Sequence, residues 1–212
     1  MDYKLFLFIE QMCVTYAIDE SHGIKHAKGT MLRAQQIISS LPKITEAESK
    51  MALYAAALHD MCDHKYTDVE KSSKEIYEWL IDSSNLWSTE EAAALIHIIT
   101  TMSYSKLKST FASGQTYPDH GKWQMAYHIA RHADLLEGYI VARCVLYNKH
   151  IYPEKSDADH WLCAEELFRT RVFKYVSDGW IFLPGALAHV GKLEEEAHRC
   201  LLNKCLDWPM SF

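Results

Sequence analysis

Apolar and polar positions recur with the spacing of amphipathic helices along nearly the whole chain. The pattern predicts helices near residues 3–17, 22–39, 45–62, 67–82, 89–102, 119–147, 158–177 and 185–206. No alternating run is bracketed by hairpin turns, so strands are not expected. Three helix starts carry the capping-box pattern: Thr45-x-x-Glu48, Thr67-x-x-Glu70 and Ser88-x-x-Glu91. In such a box the hydroxyl accepts a free backbone N–H and the glutamate reaches back. Pro42, Pro118, Pro153 and Pro184 fall at proposed boundaries, where a missing N–H is tolerated. The stretch SYSKLKSTFASGQTYPDHG, residues 103–121, reads as the longest irregular segment, of a length that often carries function. No low-complexity tract, repeat or linker divides the chain. The expectation is all-α, with seven or eight helices in a single domain over residues 1–212.

One run departs from the ordinary pattern. MALYAAAL, residues 51–58, is apolar enough for a deeply seated helix, yet it leads into His59 and Asp60, with Asp63 and His64 close behind. Helical neighbours point about 100° apart, so His59 and Asp60 share an ion only if it lies beside the helix near its end. An unpaired carboxylate is costly to bury there. A metal ion would compensate it; the alternative is a cluster of solvated charge. His22 and His26, four apart in SHGIKHAKGT, share one helix face or stand exposed at a helix start. Asp134 lies among Ile129, Ala130, Ala133 and Leu135 and needs a partner, the plain choice being Arg131 or a lysine. His128 and His132 are expected on the outer side of that helix.

Composition narrows the classes. Apolar residues make up 49% and charged residues 24%, which suits a globular protein with a sizeable core. A net charge of -6, with Lys106-Leu-Lys108 too small a basic patch, argues against nucleic acid as partner. The apolar LFLFI near the start is short for a signal peptide, and nothing approaches the ~20 apolar residues of a membrane span. The 6 cysteines are scattered without a CxxC pair, which suggests buried free thiols in a reducing compartment. A soluble, cytoplasmic protein is expected, with no membrane partner. There is no glycine-rich phosphate loop, HExxH, GxSxG or dinucleotide fingerprint.

Four segments follow one another in order: SHGIKHAK, HDMCDHKY, IITTMSYSK and ADLLEGY. With His26, His59-Asp60 and Asp134 as H…HD…D, the chain resembles the HD-domain metal-dependent phosphohydrolases. The segments are similar to those of a small bacterial-type subfamily with an S-H-x-x-x-H opening. The resemblance covers about residues 20–145, with the downstream helices completing an HD-like bundle.

It implies one divalent ion, Mn²⁺, Fe²⁺, Co²⁺, Ni²⁺ or Mg²⁺, held by His26, His59, Asp60 and Asp134. No match exists for the extra histidines of two-metal relatives, so the implied centre is mononuclear. Asp63 would orient water or move a proton. Lys106, then Lys65, would meet phosphate, and His22 would hold a phosphate or buttress a ligand. Relatives often carry Ala-Asp-Arg-Leu-Asp at the last motif; Leu135 and Glu137 here leave that basic residue out.

The implied activity is hydrolysis of a phosphoester or phosphoanhydride bond in a small molecule, most naturally a nucleotide. A nucleoside triphosphate pyrophosphohydrolase and a nucleotidase are both open. The alternative of a different class is a helical nucleotide- or protein-binding regulatory module with an inert site.

Overall fold

The computed structural model describes residues 3–84, 87–114 and 116–208, with the side chains of 83 and 84 left aside. Gln115, inside the stretch expected to be irregular, lies outside the described residues, as do Met1 and Asp2. Among the described residues there are ten α-helices, three 3₁₀ turns and no strand. The all-helical expectation therefore holds, with more helices than expected. They are α1 (Tyr3–Thr15), α2 (Ile24–Ser39), α3 (Glu46–Leu58), α4 (Val69–Ser84) and α5 (Thr89–Thr101), then α6 (Tyr104–Ala112), α7 (Gln124–Glu137), α8 (Val141–Ile151), α9 (Asp157–Thr170) and α10 (Pro184–Asn203). The 3₁₀ turns are His59–Cys62, Gly121–Trp123 and Val172–Lys174.

Two differences account for the larger count. The stretch 103–121 is not irregular throughout, because YSKLKSTFA forms α6 and buries Leu107. The helix expected over 119–147 is two, α7 and α8, separated at Gly138–Ile140. Ile140 is extended, which stops the helix. Gly138 accepts the close approach of Tyr175 and of the Leu135 carbonyl, where a Cβ would be crowded. The segment expected over 158–177 likewise ends as a helix at Thr170 and continues into the third 3₁₀ turn.

The capping boxes at Thr45 and Ser88 are both complete, and a third stands at Ser156 with Asp159. The one expected at Thr67 is not formed. Thr67 Oγ1 instead bonds Ser72 Oγ and the Asp63 carbonyl, and Asp68 Oδ1 accepts the Lys71 N–H at 3.0 Å. Aspartate is as good a cap as threonine, so the start of α4 follows Asp68.

The buried side chains form one contiguous cluster reaching from α1 to α10. Its centre is the packing of α2, α3 and α7, the three most extensively joined helices. Small residues make that possible: Ala52, Ala55, Ala56, Ala126, Ala130 and Ala133 are all fully buried. The alanine run that looked anomalous in sequence is a helix enclosed on nearly all sides.

His128 and His132 are not on an outer face. His132 is fully buried, and its Nε2 accepts the N–H groups of Phe182 at 3.0 Å and Leu183 at 3.4 Å, tying α7 to the start of α10. His128 packs against Tyr117 and Phe182. Arg131 does not pair with Asp134. It is buried, donates to the Trp180 carbonyl at 2.9 Å and lies over the Tyr117 ring. The 6 cysteines are free thiols, with Cys62 and Cys200 buried and the others half-buried. No described helix is long and apolar enough to cross a membrane.

Glu137, which departs from the family pattern, is buried on the side of α7 that meets α2 and accepts from Arg33 Nε at 3.1 Å. A Cβ on Gly29 would run into the Glu137 carboxylate. Gly29→Ala should therefore lose about 1–2 kcal/mol, since overpacking outweighs the helix propensity gained. Urea unfolding of both proteins measures this. Equal midpoints would mean that the carboxylate steps aside freely.

Candidate metal centre

His26 comes from the first turns of α2, His59 and Asp60 from the 3₁₀ turn that ends α3, and Asp134 from the last turn of α7. These are the three helices of the packed centre. The tightening from α to 3₁₀ at His59 lets two neighbouring residues aim at one point.

The four groups converge. His26 Nε2 and His59 Nε2 are 3.3 Å apart. Asp60 Oδ2 lies 3.2 Å from the first and 3.3 Å from the second. Asp134 Oδ1 lies 3.5 Å from His26 Nε2 and 3.4 Å from His59 Nε2. Donors about 2.1 Å from a common ion stand about 3.0–3.4 Å apart for right-angle to tetrahedral geometry; His26, His59 and Asp60 have that mutual spacing, and Asp134 approaches the two imidazoles but is not part of that mutually close group.

Hydrogen-bond accounting shows what these atoms offer. His59 Nδ1 lies 2.9 Å from the Ala56 carbonyl, which can only accept. Nδ1 therefore carries the hydrogen, and Nε2 of the neutral ring presents a lone pair inward. Thr30 Oγ1 donates to the His26 carbonyl at 2.8 Å and lies 3.3 Å from His26 Nδ1. The same hydroxyl lies 3.4 Å from His26 Nε2 and so favours neither ring nitrogen. A ring N–H anchored as that of His59 is characteristic of metal-ligating histidines.

Asp60 Oδ2 is buried with no hydrogen-bond partner. Two imidazole nitrogens and two carboxylate oxygens thus face one another, a set that a bound cation or a proton on an imidazole would balance. Burial disfavours charge on each group, but the mutual attraction outweighs it. The Asp60 and Asp134 carboxylates hold the His59 imidazolium well above the usual histidine range, and His59 holds both carboxylates well below theirs.

Nitrogen and oxygen donors of this kind could hold a divalent ion of mixed preference. His26, His59 and Asp60 form a buried group that could hold a metal by their mutual spacing alone.

This centre opens on a cavity of about 410 Å³, a size suited to a small molecule. Of the other expected residues, His22, Asp63, Lys65 and Lys106 all line it, beside His59, Asp60 and Asp134. They are not equivalent. Asp63 Oδ1 accepts the Lys65 N–H at 3.0 Å and lies 3.1 Å from His64 Nδ1, so its carboxylate folds onto its own loop and not into the donor set. Lys65 Nζ is 3.6 Å from Asp63 Oδ2. Lys106 Nζ donates to the Thr100 carbonyl at 3.0 Å from an exposed position. His64 is 60% exposed and does not line the cavity.

Two cavity residues carried no signal in the sequence. Arg143 of α8 donates through Nε to the Ser21 carbonyl at 2.8 Å. Arg171, just after α9, donates through Nε to the Tyr175 hydroxyl at 2.9 Å and lies 3.8 Å over the Tyr104 ring. Neither has a carboxylate partner among the described residues. Each is anchored at Nε.

No family model, no curated protein and no solved structure matches this chain.

Proposed function

We infer that the protein is a metal-dependent phosphohydrolase of the HD type, acting on a phosphate-bearing small molecule, with a nucleotide as the favoured class. The observation that carries this reading is the clustering of His26, His59, Asp60 and Asp134, with Asp60 Oδ2 buried, beside a cavity lined by two arginines that have no carboxylate partner among the described residues. His26, His59, Asp60 and Asp134 would hold the ion. When bound, it would polarise a phosphoryl oxygen and lower the pKa of water.

The rest of the work falls to the chain. Arg143 and Arg171 present planar donors suited to two phosphate oxygens each, and their Nε anchors reduce the freedom lost on binding. Lys106, held only by a neutral carbonyl, can turn toward an anion. Lys65 is already neutralised by Asp63 and adds less. The apolar part of the wall, with Ile99, Met102, Tyr104 and Leu167, excludes water and can pack an organic group.

The test is a screen of Mn²⁺-reconstituted protein against nucleotides, with phosphate, pyrophosphate and nucleoside products measured separately. Pyrophosphate release identifies a pyrophosphohydrolase, and phosphate release from monophosphates a nucleotidase. Tight nucleotide binding without any product would instead support the regulatory-module alternative.

On the substrate found, Arg143→Met and Arg171→Met should each lower kcat/KM by about 10- to 100-fold, the loss of a charge-assisted contact. Lys106→Ala should have a smaller effect, and bound Mn²⁺ should be unchanged in all three. Unaltered kinetics in both arginine variants would remove them from the substrate site.

A further inference from the structure

The turn that ends α10 brings two cysteines together. Lys204 takes the left-handed conformation, with φ 49°, and the chain reverses there. The Cys205 N–H then donates to the Cys200 carbonyl at 3.2 Å, and the Lys204 N–H to the Leu201 carbonyl at 3.4 Å. These two bonds define a helix-ending motif whose first and last side chains, here those of Cys200 and Cys205, meet. Each Cα lies within two bonds of its own hydrogen-bonding atom, so the 3.2 Å contact holds the two Cα atoms within about 7 Å. A disulfide needs about 4.4–6.8 Å between them.

The thiols lie on the same side of this turn. The Cys200 thiol donates to the Cys205 carbonyl. Burial first, then the Cys205 thiol beside it, pushes the Cys200 thiol up to about 12. Cys200 is buried and Cys205 half-buried. Both line a second cavity, of about 380 Å³, together with Arg199 and Trp208. A small molecule can therefore approach Cys205 without entering the cavity of the metal centre. Beyond the turn, the Trp208 ring lies 4.6 Å from Lys25 Nζ, so the segment returns to α2 one residue before His26.

We propose that Cys200 and Cys205 are a reversible redox pair, closed to an intramolecular disulfide by a low-molecular-weight disulfide such as glutathione disulfide. The pair is independent of the phosphohydrolase reading. The second cavity admits the reagent, and Arg199 in its wall suits one that carries carboxylates. Cys205, the less buried, reacts first. Its thiolate bonds to one sulfur of the reagent, the reagent S–S bond breaks, and the released thiolate takes up a proton. The Cys200 thiol then gives its proton to solvent and bonds to the Cys205 sulfur. That expels the second reagent thiolate, which is protonated in turn. Two protein thiols become one disulfide, and one small disulfide becomes two thiols. The closed pair fixes the reversal at Lys204, and with it the path of the segment that carries Trp208 to α2.

Peptide mapping tests it. Trypsin cuts after Arg199 and Lys204, so the two cysteines fall in separate peptides unless a disulfide joins them. The native full chain, incubated with glutathione disulfide and then alkylated in denaturant, should yield those peptides joined. Dithiothreitol should separate them. Closure should be favoured about 10-fold more in the native chain than in concentrated urea, because the turn holds the thiols together. Cys200→Ser should leave glutathione on Cys205, and Cys205→Ser should leave Cys200 a free thiol. A wild type in which Cys205 keeps glutathione, or in which both cysteines stay free, overturns the proposal. Equal closure in urea would assign the pairing to sequence separation alone and overturn the part given to the turn.

Discussion

Asp60→Ala should abolish metal binding, and turnover with it. Asp60 Oδ2 is within 3.3 Å of both ligand imidazoles and has no other bond to make. Its removal takes one of two carboxylates from a donor set that depends on them to offset an ion's charge. At a Mn²⁺ concentration 1,000 times its Kd, the ion should stabilise the wild type by about 4 kcal/mol. In a chain of this size that raises Tm by on the order of 10 °C. The variant should show no Mn²⁺-dependent rise and no bound metal after desalting. The same rise in Asp60→Ala as in the wild type would end the metal assignment.

Leu58→Ala should be the most damaging core substitution near the site. Leu58 is the last residue of α3, fully buried, and immediately precedes His59. Truncating it should cost about 2–5 kcal/mol, from lost burial and the cavity left behind. Metal affinity should also fall, because the end of α3 aims His59 and Asp60. Ile37→Ala is the control. Ile37 is as buried, but it lies eleven residues beyond His26 on α2, about 16 Å along the axis. Its stability loss should be comparable and its metal affinity unchanged. Thermal melts with and without Mn²⁺ separate the two. An equal loss of affinity in both variants would mean that the site follows global stability and not the local aim of α3.

The helical character of the chain, and most of its helix positions, were legible in sequence because period and capping chemistry are local. Thr45 and Ser88 cap as their neighbours dictate. The exceptions have tertiary causes. At Gly138 the chain turns where Tyr175 comes close, and nothing within five residues announces that approach. At Thr67 two caps compete, and Asp68 takes the helix start while Thr67 bonds back to the Asp63 carbonyl. The outward placement expected for His132 failed because the segment leading into α10 delivers backbone N–H groups to it from fifty residues away.

The candidate site divides in the same way. Sequence alone determined which groups needed a partner: His59 and Asp60 at the end of an alanine-rich buried helix, and Asp134 among apolar neighbours. A carboxylate inside an apolar pattern is a local contradiction, and it can be read without a fold. Only the tertiary structure decided what resolves it. Packing of α2, α3 and α7 brings His26, His59, Asp60 and Asp134 together, with the Ala56 carbonyl holding the His59 Nδ1 hydrogen. Arg143 and Arg171 belong wholly to that second level. Each is an ordinary residue in its own helix or turn, and its role comes from what distant segments place beside it.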